Sequence, residues 1–256
     1  MYEVAEGIAT IALNRPQVMN ALDAGMIGRL RTVCEEARDD PAVRAIVLRG
    51  NGKAFLAGGD VALFHANLPR LPEMVSELAG ELHHAIIALR EAAKPVLASV
   101  HGAVAGAGVS LLAAADLGIA AADTKFTLAY SRIATSPDGG STYFLPRLVG
   151  TRKALELMLL ADTFDATTAR ELGLVNWVVP GAELAIETAR LAQRLANGPT
   201  RAYAETKTLV NRTFERPLAA QLDAEVQAFA RCARTQDLAE GVTAFVEKRK
   251  PNFTGK

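Results

Sequence analysis

Short apolar runs and helix-spaced apolar positions alternate through the first half of the chain. Ile8 to Leu13 is almost wholly apolar and stops at Asn14-Arg15-Pro16, which predicts a strand running into a turn. From Leu22 to Arg38 apolar residues recur at helical spacing, with Asp23 near the start. Val43 to Leu48 predicts a second buried strand, closed by Gly50-Asn51-Gly52. Pro72 to Ala92 predicts a long amphipathic helix, Val96 to Val100 a third strand, Gly106 to Ala115 a helix of small residues, and Leu117 to Ala120 a further strand. Strands alternating with helices imply crossover units and a mostly parallel sheet, an α/β fold.

Beyond about Ala129 the helical period takes over. Arg152 to Leu160, Ala166 to Leu172, Gly181 to Ala196, Thr200 to Phe214, Pro217 to Arg231 and Asp237 to Lys248 all predict helices, interrupted by one strand at Leu174 to Val179. Asn197-Gly198-Pro199 is a strong break. The chain therefore divides into an α/β core at 1–196 and a helical C-terminal region at 197–256. That second piece is too small to bury its own apolar faces and is expected to pack on the core or on a neighbouring subunit.

Composition narrows the possible functions. Lys+Arg and Asp+Glu are 28 each, so the formal net charge is zero and no nucleic acid or anionic membrane is expected as a partner. Half of the 256 residues are hydrophobic, enough for a packed core without a disulfide or metal staple. Cys34 and Cys232 are the only cysteines, which predicts reduced thiols. The first residues lack a basic stretch followed by an apolar core, so a cytoplasmic protein is expected. The apolar window Pro95 to Ala122 is rich in Ala and Gly and broken by His101 and Asp116, which reads as tight packing in a globule.

The chemistry-bearing residues are few. The histidines are His65, His83, His84 and His101, without metal-ligand spacing, so no metal is expected. Gly106-Ala107-Gly108 opens a helix, but Leu111 occupies the third glycine position of a dinucleotide fingerprint. Ser110 lacks the second glycine of a nucleophile elbow. Two glycine-rich turns remain, Phe55 to Asp60 after the second strand and Gly102 to Gly108 after the third. Each is either a tight turn or a place where a free backbone N–H meets a cleft, and two such donors would form an oxyanion hole. Between Ala92 and Leu155 there is no Glu, and the only acids are Asp116, Asp123 and Asp138. Asp138, in Ser136-Pro137-Asp138-Gly139-Gly140, could equally be a turn or N-cap aspartate.

Six segments in order resemble the crotonase superfamily, the enoyl-CoA hydratase/isomerase family, along essentially the whole chain. They are Leu13 to Leu22, Phe55 to Asp60, His101 to Asp116, Pro137 to Leu145, Glu171 to Val175, and Phe245 to Arg249. The resemblance implies a crotonase-like spiral of ββα units with a helical C-terminal trimerisation region. It further implies an acyl-CoA thioester as substrate, with no separate cofactor, and a homotrimer or dimer of trimers. Oxyanion donors fall at the Gly59 and Ala107 N–H groups. Coenzyme A is expected along Gln17, Val18, Met19, Ala57 and Asp60, with Lys248 as a candidate phosphate contact. The two glutamates of the hydratase pattern fall at Ser110 and Tyr130, neither of which can serve as a carboxylate, though both could hydrogen-bond substrate. Asp138 falls where several isomerases of the superfamily carry an acid. The expected reaction is double-bond or ring isomerisation of an enoyl-CoA with one Asp as acid/base. The alternatives are a hydratase with a rearranged site and a catalytically weak acyl-CoA-binding subunit.

Overall fold

The computed structural model describes all residues, 1–256. The chain begins with β1 (Tyr2–Ala5) and β2 (Ile8–Leu13), followed by α1 (Ala24–Asp39), β3 (Ala45–Gly50), α2 (Val61–Ala66) and α3 (Leu71–Glu91). Next come β4 (Val96–Val100), β5 (Ala103–Ala105), α4 (Ala107–Ala114), β6 (Leu117–Ala121) and β7 (Lys125–Thr127). A 3-10 turn at Ala129–Ile133 precedes α5 (Ser141–Val149), α6 (Thr151–Leu160), β8 (Phe164–Asp165), α7 (Ala166–Glu171) and β9 (Trp177–Val179). The chain closes with α8 (Leu184–Ala196), α9 (Thr200–Asn211), α10 (Leu218–Cys232) and α11 (Gln236–Val246).

The main sheet has six strands in the order β1-β2-β3-β4-β6-β9. Only the β1–β2 pair is antiparallel, and the other pairings are parallel as the alternating pattern predicts. Every residue of β4 is buried, because helices cover both faces of the sheet. On one face α1 and α3 pack together within a core of 42 buried residues. On the other, Leu184 and Leu191 of α8 meet Leu97 and Ile119. α1 starts where Asp23 caps it, the carboxylate accepting a hydrogen bond from Met26 N at 2.8 Å.

Several elements depart from the sequence reading, β1 and α2 among them, which it did not predict. A second sheet, β5-β7-β8, uses strands of only two or three residues, too short to leave a periodic signal. α5 carries Pro146 inside it and follows Gly139 and Gly140, so its local signals argue against a helix. The strand expected from Leu174 pairs only from Trp177, because the Asn176 side chain accepts from Gly118 N at 2.8 Å and ends the ladder there.

Beyond residue 196 no residue belongs to either buried cluster. Lys207 ties α9 to the core by donating to the Leu89 carbonyl at 2.8 Å and pairing with Asp116 at 2.8 Å. The outer helices leave Phe214, Leu218, Val226 and Phe229 between 65% and 73% exposed. No helix is long and apolar enough to cross a membrane.

Candidate active site

Two loops meet behind the edge of β3 and β4. Leu56 and Val104 form an isolated parallel bridge, with Leu56 N donating to Ala103 O at 3.2 Å and Ala105 N to Leu56 O at 2.8 Å. The approach demands residues without Cβ. Gly58 and Gly106 both have positive φ, and a Cβ on Gly108 would collide with the Leu56 carbonyl oxygen. A third strand of contact comes from residues 19–22. Ala57 N donates to Met19 O at 3.0 Å, Leu22 N to Gly58 O at 2.8 Å and Asp60 N to Leu22 O at 3.0 Å.

This weave leaves the Gly59 N–H out. In a parallel bridge with Leu22 the flanking residues 58 and 60 make the hydrogen bonds, and Gly59 N donates to no group of the protein. The Ala107 N–H is free for a different reason: it lies in the first turn of α4, where no carbonyl precedes it at the right distance. Gly59 and Ala107 both line one cavity of about 470 Å3, whose walls include Phe64 of α2 and Val75, Leu78 and Leu82 of α3. Such a pair of donors in a largely apolar cavity can stabilise a developing oxyanion.

Asp138 lines the same cavity, on the loop that leads into α5. Its Oδ1 accepts a hydrogen bond from the Tyr130 hydroxyl at 2.7 Å, while Oδ2 has no partner in the protein. Burial raises the Tyr130 pKa above the ordinary phenol value, and the Asp138 charge raises it further, so the hydroxyl stays a donor. Ser110 lies behind Tyr130, fully buried, and does not line the cavity. Its Oγ donates to the Asp138 carbonyl at 2.9 Å and lies 3.1 Å from the Tyr130 hydroxyl. Ser110, expected as a substrate contact, thus reaches the cavity only through Tyr130 and Asp138. The Cα-side packing is equally close, since a Cβ on Gly139 would lie 2.9 Å from Ser110 Cβ.

The residues expected along coenzyme A separate into groups. Ala57 lines the cavity. Gln17, Val18 and Met19 lie outside it, on an exposed 3-10 turn whose last carbonyl anchors Ala57. Asp60 offers no free carboxylate to a ligand. It caps α2 through Leu63 N at 3.2 Å and pairs with Arg15 at 3.1 Å, and Arg15 also pairs with Asp23 at 3.2 Å. Lys248 follows α11, and no residue beyond Asp138 lines the cavity, so within one chain Lys248 has no contact with it.

Asn20 is the structural centre that sequence reading passed over. It is completely buried with φ of 60°. Its Nδ2 donates to the carbonyls of Asn51 at 2.9 Å, Ala54 at 2.8 Å and Phe55 at 3.2 Å, and its Oδ1 accepts from Arg15 N at 2.8 Å. One side chain thus fixes the turn of residues 15–20 against the loop that presents Gly59. The only signal was its place between two turns, where Asn tolerates left-handed backbone.

Comparison with known proteins agrees with this geometry. The enoyl-CoA hydratase/isomerase family profile matches residues 3–256. A probable enoyl-CoA hydratase of Rhodobacter capsulatus is 40% identical over 255 residues, covering 100% of this chain and 97% of that protein. A 1,2-epoxyphenylacetyl-CoA isomerase of Escherichia coli is 34% identical, covering 99% and 97%. A crystal structure of a putative enoyl-CoA hydratase/isomerase from Mycobacterium abscessus superposes with a TM-score of 0.94 at 37% identity, covering 100% of this chain and 99% of that one. From the strand order, the paired glycine loops and these matches, the chain belongs to the enoyl-CoA hydratase/isomerase family of the crotonase superfamily.

Proposed function

We propose that the protein isomerises an enoyl-CoA, with Asp138 as the single acid/base and the Gly59 and Ala107 N–H groups holding the thioester oxygen. One observation carries the reading. The cavity joins two unpaired backbone donors to one carboxylate that keeps an oxygen free, while the positions of the two hydratase glutamates hold Ser110 and Tyr130. Isomerisation needs a proton taken from one carbon and returned to another while the thioester oxygen carries negative charge. Asp138 Oδ2 can accept that proton and return it, so water is not a reactant. The two N–H groups stabilise the enolate between the steps. The apolar wall of Phe64, Val75, Leu78 and Leu82 suits an uncharged acyl chain.

The coenzyme A moiety is expected to leave the cavity past residues 17–19, where a Lys248 from another copy would meet its phosphates. Assembly with further copies of the chain, as a trimer or dimer of trimers, would cover the exposed apolar residues of α10 and its flanks. Light scattering at micromolar concentration should give a trimer or hexamer, and a monomer would contradict this. The reaction itself is tested by a panel of 3-enoyl- and 2-enoyl-CoA substrates. Shift of the double bond should outpace addition of water to crotonyl-CoA, and brisk hydration would favour the rearranged hydratase instead.

A further inference from the structure

The Ser110–Tyr130–Asp138 cluster contains fewer protons than contacts. Three oxygen–oxygen contacts link it: Tyr130 to Asp138 Oδ1 at 2.7 Å, Ser110 to the Asp138 carbonyl at 2.9 Å, and Ser110 to Tyr130 at 3.1 Å. Two hydroxyl protons serve them. In the arrangement with Ser110 donating to the Asp138 carbonyl, which also accepts from Ser141 Oγ at 3.0 Å and Ser141 N at 3.2 Å, Tyr130 spends its proton on the carboxylate. The Ser110–Tyr130 contact is then left without a proton, and Ser110 Oγ keeps an unused lone pair facing the phenol.

We propose that Tyr130 is a positioning residue whose hydroxyl follows the charge of Asp138, donating to the ionised carboxylate and turning to Ser110 Oγ when Oδ2 has taken the substrate proton. The inference rests on the reading of Asp138 as the acid/base. In the resting state the Tyr130 bond fixes the carboxyl plane, so Oδ2 is the oxygen left for the substrate. It also stabilises the anion, because a hydrogen bond to a charged acceptor is stronger than one to a neutral acceptor. Once Oδ2 is protonated that advantage shrinks, and Ser110 supplies an alternative acceptor that costs no orphaned hydroxyl. Proton return from Oδ2 restores the first arrangement. The two hydroxyl protons stay within the cluster throughout, and the one that moves to and from the substrate is carried on Oδ2 alone.

The surroundings leave few competitors. Among the cavity-lining residues, α3 and the start of α4 contribute no titratable group, and the 129–133 turn contributes only Tyr130 and Arg132. Arg132 directs a guanidinium nitrogen to the Ala161 carbonyl. High phenol pKa keeps Tyr130 protonated through the working range, so loss of its own proton does not interfere.

The test is carboxyl titration by NMR of the full-length protein carrying 13C at aspartate Cγ, with the Asp138 signal identified by its loss in Asp138→Asn. Tyr130→Phe should move the Asp138 titration midpoint up, since a hydrogen bond to the anion has been removed. The acid limb of kcat/KM for 3-hexenoyl-CoA should move up with it, and kcat should fall about 10- to 100-fold while KM changes less than about twofold. Ser110→Ala should leave the midpoint at or below the wild-type value, because it removes only the acceptor used by the protonated state. An unmoved midpoint in a folded Tyr130→Phe protein overturns the inference, as does an equal upward shift in both variants, which would mean a loosened loop. If the midpoint moves as described but the wild type isomerises no 3-enoyl-CoA, the hydrogen-bond assignment stands and the proposed reaction fails. If Asp138→Asn keeps full isomerisation, the acid/base lies elsewhere and the inference falls with it.

Discussion

The two sides of the cavity are built by different means. One side is backbone: the Gly59 and Ala107 N–H groups are aimed by a parallel bridge, a helix start and glycines pressed together. The other is side chain: Asp138 is held by Tyr130 and by Ser110, from three separate elements. Backbone donors are indifferent to the side chain at their position, so Ala107 keeps its donor while adding a methyl group. A side-chain constellation has no such tolerance, and a different residue at position 110 or 130 would change the chemistry. The backbone side therefore explains what the chain shares with hydratases and isomerases alike. The side-chain side is where this chain's own reaction is decided.

The largest effects should come from deleting a donor on the backbone side. Ala107→Pro removes the N–H at the first residue of α4, where proline is sterically accepted and no internal hydrogen bond is lost. Turnover should fall about 10²–10³-fold with an unchanged melting temperature. Gly59→Pro should do the same, checked by a thermal melt because Phe64 would lie 2.9 Å from the new Cβ. Near-normal turnover in a folded variant would remove that donor from the mechanism.

Asn20→Ala tests whether the backbone side depends on a buried scaffold. It strands the carbonyls of Ala54 and Phe55 and the Arg15 N–H, and should cost about 2–3 kcal/mol in denaturant unfolding. A loss below about 0.5 kcal/mol would mean that the loop holds itself. Smallest is the expected effect of Lys248→Ala, about 1 kcal/mol or less in coenzyme A affinity at low salt, because a partly exposed ion pair is weak. Unchanged affinity would place the phosphates elsewhere.

The same division governs what could be read in the sequence. β4 is legible to the residue because a parallel strand buried on both faces is a continuous apolar run, and β2 because its apolar run stops sharply at Asn14-Arg15-Pro16. The glycine turns are legible because positive φ at Gly58 and Gly106 and the close approach of Leu56 to Gly108 favour glycine there. Asp60 was expected along coenzyme A, and its capping and ion-paired role was not legible because it depends on Arg15 and Leu63 lying nearby in space. The burial of Ser110 was not legible either, because it follows from the Gly139 turn packing against it. Asn20 lay inside a recognised segment, yet nothing local indicates three carbonyls converging on its amide.

The central claim is that Asp138 moves a proton between two substrate carbons without adding water. The most direct measurement is conversion of 3-hexenoyl-CoA in 18O-labelled water by wild type and Asp138→Asn, with products resolved by mass. The wild type should give the 2-enoyl thioester with little labelled 3-hydroxyacyl product, and Asp138→Asn should slow that conversion at least about 10²-fold while still binding the thioester. Dominant 18O-labelled 3-hydroxyacyl-CoA from the wild type, or normal isomerisation by Asp138→Asn, would contradict it.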